Sequence, residues 1–349
     1  MEEPRQSNHA STARRLLLPV AIVLAALIAY RFVWRGGRQP LVVYCAHDSV
    51  YAEKVLRDFE ERTGIPLSVK FDTEATKSLG LVELLIREKD RPRCDVFWNN
   101  ELLGTLDLKE DGVLLPYEGP GFERIPPGFK DPDGCWAGFG ARLRVYIVNT
   151  DALAPTKEAV EKALEGDLSR VAMAKPLYGT TLTHYSVLWD LWGQEKLEAW
   201  HEDWRARGVR EVTGNAQVKD LVAEGVCDLG LTDTDDFFLA KDAGKPVAAV
   251  PVRVADGSTI CIPNTACIIN GTRRAEDARR LVDYLLSAEC ELALAESKSR
   301  QVPLGPVEEG VLPEDVRTLK EWAEAGVSLN SLLPARTACL AWLKRDYLE

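Results

Sequence analysis

The sequence predicts an α/β protein built on mainly parallel sheets. Short apolar runs such as LVVYC (41–45) alternate with helical patterns from residue 41 onward. Glycines such as Gly64 and Gly112 stand where those helical patterns stop. The same alternation restarts near residue 143, so two such units follow one another.

Each element has its own signal. Residues 41–45 read as a fully buried strand. Val50–Thr63 follows as a helix, with Ala52, Val55, Leu56 and Phe59 on one face. Residues 65–71 alternate, placing Leu67, Val69 and Phe71 on one side of a strand. Thr76–Lys89 is helical through Leu79, Val82, Leu85 and Ile86. Asp95–Trp98 is a strand and Glu101–Glu110 a helix. In the second unit, RVYIVNT (144–150) is a strand. Thr181–Gly208 reads as one long helix whose Trp189, Trp192, Trp200 and Trp204 recur at helical spacing, as core residues rather than a ligand platform. Asn215–Glu224 is a helix closed by Gly225, Cys227–Leu231 a strand, and Asp235–Asp242 a helix. Val247–Val254 and Thr259–Ile269 are strand-rich. Ala275–Ser297 is a long helix, and the chain from Pro313 is helical.

The 349 residues accommodate two domains at roughly 100–200 residues each. Apolar residues make up 46 % and charged residues 28 %, which excludes disordered, collagen-like and multi-span membrane classes. Net charge is −11, and residues 1–40 hold six arginines against two glutamates, so the body beyond them carries −15. Such a surface repels nucleic acid and anionic lipid. A small ligand held in a cleft fits it.

Residues 16–30 form an uninterrupted apolar run, which a snorkelling Arg31 extends to residue 34. Arg14 and Arg15 precede it, and neither a small-x-small cleavage site nor a lipoprotein cysteine follows. The segment is therefore expected to be an uncleaved signal anchor, with release after signal cleavage as the alternative. Gly36, Gly37 and Pro40 make the linker to the body. Eight cysteines include no C-x-x-C pair. Cys261 and Cys267 flank a Pro-Asn turn signal and are the one local disulfide candidate; buried thiols are the alternative for all eight.

Ligands of open α/β sheets sit at strand ends near helix N-termini. Six strand ends here carry small hydrogen-bonding residues: Asp48 beside His47; Thr73 and Thr76; Asn99 and Asn100; Thr180, Thr181, Thr183 and His184; Asn215; and Asp233, Asp235 and Asp236. Any one of them serves equally as a helix cap. The aspartate trio stands out, because three carboxylates within four residues repel one another unless a cation or donors satisfy them. A solvated helix start tolerates them too.

The stretches VVYCAHD (42–48), FDTEATKSLGLVELLIREKDRPRCDVFWNNE (71–101), GNAQVKDLVAEGVCDLGLTDTDD (214–236) and IPNTACIINGTRRAEDARRLVDYLLS (262–287) resemble the periplasmic ferric-ion-binding proteins. These are the solute-binding components of iron(III)-type ABC importers. The resemblance implies a type II periplasmic-binding fold of two α/β lobes joined by two crossing strands. Lobe 1 would hold 41–142 and 256–310, lobe 2 143–255 and 311–349. It also implies an ABC permease as partner, a monomeric state, an extracytoplasmic location, no prosthetic group, and iron(III) or another hard cation as transported ligand. The adjacent tyrosines typical of family iron binders fall on Asp235 and Asp236, and a histidine found in some members falls on Asp48. A glutamate of some members falls on Asn100. The anion-holding helix start corresponds to Thr180–Thr183, with Asn215 in support, and Arg142 or Arg144 reaches the site from a crossing strand. The anion half is thus expected to survive, while the metal half has changed from phenolate to carboxylate.

Carboxylates bind hard cations and also suit amines. A zwitterion such as 2-aminoethylphosphonate is therefore a second candidate ligand. A third reading takes the D-T-D-D stretch as the metal-nucleotide motif of a glycosyltransferase-like enzyme, and a fourth makes the chain a tethered sensory binding protein. No Walker A, G-x-S-x-G or H-E-x-x-H motif supports catalysis.

Overall fold

Strand β5 (Ala137–Asn149) organises the architecture, because its two halves belong to two different sheets. The computed structural model describes residues 39–72, 79–254 and 256–348. The N-terminal apolar run, Thr73 and Thr76 lie outside the described residues. Among those described, no helix is long and apolar enough to cross a membrane.

On one side of β5 lie β1 (Leu41–Cys45), β2 (Leu67–Phe71), β3 (Val96–Asn99), β4 (Leu114–Leu115) and β10 (Cys261–Ile269). The strand order is β2-β1-β3-β10-β5, with β4 also on β10. β1 runs parallel to β2 and β3, whereas β10 is antiparallel to β3 and to residues 137–143 of β5. On the other side lie β6 (Val171–Ala174), β7 (Arg210–Val212), β8 (Leu229–Asp233) and β9 (Val247–Pro251). Here β8 and β9 flank residues 144–149 of β5 antiparallel, and β6 and β7 continue parallel to β8. The 252–260 segment returns along the crossing: Val252 N–H donates to the Arg144 carbonyl and Arg144 N–H to the Ile260 carbonyl. The expected pair of crossing strands is thus one strand and one irregular return.

Thirteen helices cover the sheets among the described residues: α1 (Ser49–Thr63), α2 (Leu79–Glu88), α3 (Leu103–Glu110), α4 (Pro120–Arg124), α5 (Lys157–Glu165), α6 (Gly179–Trp192), α7 (Gln194–Ala206), α8 (Asn215–Ala223), α9 (Thr234–Asp242), α10 (Ala275–Leu285), α11 (Ala288–Glu296), α12 (Glu314–Glu324) and α13 (Leu333–Leu348). α1 and α10 bury Phe59, Leu281 and Leu285 with Val43 and Trp98 of the first sheet. α8 and α9 bury Val218, Val222 and Phe237 with Leu143, Val145 and Ile147 of β5. α13 packs against both α6 and α3 and so straddles the two halves.

Two expected long helices are each broken in two. Residues 181–208 split at Gly193, whose φ of 79° and ψ of 169° suit glycine alone. Residues 275–297 split after Leu285, where the Ser287 hydroxyl caps α11 by accepting from Cys290 N–H at 3.1 Å. Local capping chemistry overrides the continuous apolar period in both cases. The expected strand 227–231 lies at 229–233, which carries Asp233 onto the strand end. The tryptophans are core or near-core: Trp204 is buried, the rings of Trp200 and Trp204 lie 4.4 Å apart, and Trp189 meets Trp342. All eight cysteines are free, which overturns the Cys261–Cys267 pairing. Both lie on β10, where six residues of extended chain separate them by about 20 Å.

Gly193→Ala is expected to destabilise the protein by about 1–3 kcal/mol, since nothing lies within 4 Å of the added Cβ and only backbone strain acts. Urea unfolding of the variant checks this; an unchanged midpoint would mean that the α6–α7 break relaxes freely.

Candidate functional site

Side chains alternate along β5, so Arg142 and Arg144 share one face while Leu143, Val145 and Ile147 enter the core on the other. Arg142 is in register with Ile262 of β10, and Arg144 with Asp233 of β8. The strand therefore exchanges partners between its two arginines. Register sets Arg144 and Asp233 side by side. Arg144 Nη1 lies 2.7 Å from Asp233 Oδ1, with Arg144 0 % and Asp233 3 % exposed.

The second oxygen of Asp233 has its own donors. Thr180 Oγ1 donates to Oδ2 at 2.5 Å and Asn215 Nδ2 at 3.0 Å. Thr180 stands in the first turn of α6 and Asn215 opens α8; neither helix has a side-chain cap from the residue preceding it. Thr181 Oγ1 donates to Asn215 Oδ1 at 3.2 Å. Burial pushes the Asp233 carboxyl up, but Arg144, Arg142 and the Thr180 hydroxyl outweigh it and hold the group below the usual carboxylate range. The chain's own Asp233 carboxylate thus takes up the donors at these two helix starts.

Arg142 joins this cluster to the first sheet. Its Nη2 donates to the Asn100 carbonyl at 2.7 Å, and its Nε lies 3.5 Å from Asp233 Oδ2 and 3.9 Å from Asp235 Oδ2. Burial works against its charge, yet Asp235, Asp233, Asp48 and Asp236 raise its pKa. Asp235 and Asp236 occupy the first turn of α9, directly after Asp233, where the helix start favours acids. Thr232 Oγ1 donates to Asp236 Oδ2 at 3.0 Å. One ligand atom from each of Asp233, Asp235 and Asp236 lies within 4.8 Å of the others.

From the first sheet, Asp48 precedes α1, and Tyr51 lies within its first turn. The Tyr51 phenol is raised by burial and then by the carboxylates of Asp235, Asp48, Asp236 and Asp242, so carboxylates from both sides of β5 converge on it. His184 is buried one turn along α6 from Thr180, and burial first, then Arg144, push its pKa down to about 3. Among the described residues, Arg142 Nε and Nη1, Arg144 Nε and Nη2, and His184 Nδ1 are buried without a hydrogen-bond partner.

Asp48, Asn100, Arg142, Thr180, Thr181, His184, Asn215, Asp233, Asp235 and Asp236 therefore gather around one place. Asn99 and Thr183 turn elsewhere. Asn99 Nδ2 donates to Glu101 and Thr105, and Thr183 Oγ1 donates back to the Gly179 carbonyl. Sequence reasoning missed Tyr51 and gave Arg144 only as an alternative to Arg142. The i, i+2 spacing of the two arginines on a strand was the available signal. For Tyr51 it was the i, i+3 spacing from Asp48 at a helix start.

Two sheets joined through a shared strand, with polar residues from both at the join, define a two-lobed binding protein of the type II periplasmic-binding fold. Residues 41–297 match the family model described as bacterial extracellular solute-binding protein, and the chain belongs to that family. It is 24 % identical over 319 residues to iron uptake protein A1 of Synechocystis sp., covering 86 % of this chain and 85 % of that one. Iron-bound HitA from Pseudomonas aeruginosa has the same fold, with a TM-score of 0.75 at 21 % identity, over 88 % of this chain and 98 % of its own. So has AfuA from Actinobacillus pleuropneumoniae with fructose-6-phosphate bound, with a TM-score of 0.69 at 19 % identity and the same coverages.

A histidine whose folded pKa is depressed takes up its proton more readily when unfolded, so stability falls as pH drops below the unfolded value of about 6.5. His184 stays neutral until about pH 3 in the folded chain, which sets the window at roughly pH 6.5 to 3. His184→Gln is expected to flatten the acid limb of stability across that window, read by thermal unfolding at stepped pH. Superimposable pH profiles would show that the ring titrates normally.

Proposed function

We propose that this chain captures iron(III) for an ABC importer, holding it between lobe 1 (41–142 and 256–310) and lobe 2 (143–255 and 311–349). The observation that carries the reading is the cluster of Asp233, Asp235 and Asp236, whose ligand atoms lie within 4.8 Å of one another, with Asp48 and Tyr51 at the start of α1 in electrostatic reach. Carboxylate and phenol oxygens are hard donors that suit a hard, highly charged cation. The names of iron uptake protein A1 and iron-bound HitA support the same cargo. The 2-aminoethylphosphonate reading loses support, because Asp233 occupies the donors its phosphonate would need. The glycosyltransferase-like reading of the D-T-D-D stretch loses support as well, since the family is one of solute-binding proteins.

Capture proceeds by closing the two lobes on the ligand, with contacts from both stabilising the closed state. Arg300 supports this step as a clasp. It is the one non-glycine residue with positive φ among those described, at 44°. Its neighbours are tied to lobe 1: Val302 pairs with Ala141, and Gln301 Nε2 meets His47 Nε2 at 3.2 Å. Its guanidinium reaches lobe 2, donating to both oxygens of Asp242 at 2.8 Å and lying over the Phe238 ring. In this reading residues 16–34 tether a monomeric binding protein outside the cytoplasmic membrane, beside its permease.

Titration with ferric nitrilotriacetate tests the cargo. Asp235→Ala combined with Asp236→Ala is expected to weaken iron binding at least about 100-fold, since each lost charged contact costs roughly 1.5–3 kcal/mol. The thermal midpoint should be nearly unchanged. Equal iron affinity in the double variant would sink the reading. Arg300→Met is expected to open the lobes, seen as a larger radius of gyration in solution scattering of the iron-free protein. No change there would mean that the clasp does not hold closure.

A further inference from the structure

The chemistry around Asp233 differs from that of the other acids in the cleft. Its carboxylate accepts from Arg144 Nη1, Thr180 Oγ1 and Asn215 Nδ2 at 2.7, 2.5 and 3.0 Å. Those donors come from a buried strand and from the starts of two helices, α6 and α8, that lack side-chain caps. Buried arginine, hydroxyl and amide donors at converging helix starts form the ordinary receptor for a tetrahedral or planar oxyanion. Arg144 is fully buried, and its Nε and Nη2 have no partner, so the receptor has more donor capacity than Asp233 uses. Asp233 also precedes α9 without capping it, so its carboxylate is committed to this receptor and not to its own helix.

We propose that Asp233 is a built-in anion: it permanently occupies an oxyanion receptor, so the cleft takes its cation without recruiting a free anion such as phosphate. The inference about the receptor stands on this geometry alone; the part about the cation rests on the reading of the cleft given above. Asp233 is paired with Arg144, while Asp235, Asp48 and Asp236 act electrostatically on Arg142 in the same cleft.

The test uses inorganic phosphate on the iron-free protein at constant ionic strength, with chloride as control. The wild type is expected to show no specific thermal shift with 10 mM phosphate. Asp233→Ala empties the receptor and should gain a shift of a few degrees, as for a ligand well above its dissociation constant. If that variant does not fold in chloride, its refolding yield in phosphate against chloride becomes the readout, and phosphate should rescue it. A wild type stabilised as strongly as the variant would overturn the proposal. So would a folded Asp233→Ala protein indifferent to phosphate, or an unfolded one that phosphate fails to rescue. Iron binding is measured separately. A wild type that ignores both phosphate and ferric nitrilotriacetate removes the iron reading and leaves the built-in anion standing. A wild type whose iron affinity rises with added phosphate removes the built-in anion and leaves the iron reading standing.

Discussion

The buried pair of Arg144 and Asp233 constrains everything around it. Removing two charges from water costs several kcal/mol each, and their attraction offsets this only where further donors complete the geometry. Thr180, Asn215 and Arg142 supply that completion, which in turn fixes the starts of α6 and α8 against the end of β8. Arg144 sits where β5 passes from one sheet to the other, and the pair sets the register of β5 against β8 there. Losing either partner would strand a charge in the interior, at a cost of about 3–5 kcal/mol.

The electrostatics of the cleft follow from how the charges divide. Asp233 is paired with Arg144, and Arg142 is shared among several acids within an already acidic body. Low-dielectric walls strengthen the interactions among these charges. The phenol of Tyr51 belongs to the same balance, since burial and then the surrounding carboxylates resist its ionisation.

The layered architecture was legible because buried parallel strands write continuous apolar runs, as Val43 and Phe97 do, and helices write a 3.6-residue period. Helix breaks were not, since Gly193 and Ser287 act through backbone conformation and capping inside stretches whose apolar period runs on. Strand ends flagged most of the site, because hydrogen-bonding residues cluster there. What the sequence could not convey was direction. Asp233 looks like its neighbours Asp235 and Asp236 in the chain, yet one-residue shifts along β8 decide that it faces Arg144. Asn99 looked like a contact and instead stabilises its own loop through Thr105. Tyr51 became visible only when two segments far apart in sequence met.

Seven of the eight thiols are fully buried, and only Cys135 is partly accessible. Burial raises each of these groups, so little nucleophilic thiolate forms in the folded chain. Oxidants and alkylating reagents therefore reach this molecule chiefly when it opens. For a member of an extracellular family, where disulfides form readily, burial is what keeps these thiols out of reach in the folded chain. The cysteines consequently act as internal reporters: Cys135 registers local breathing at the edge of the first sheet, and the other seven register loss of the whole structure.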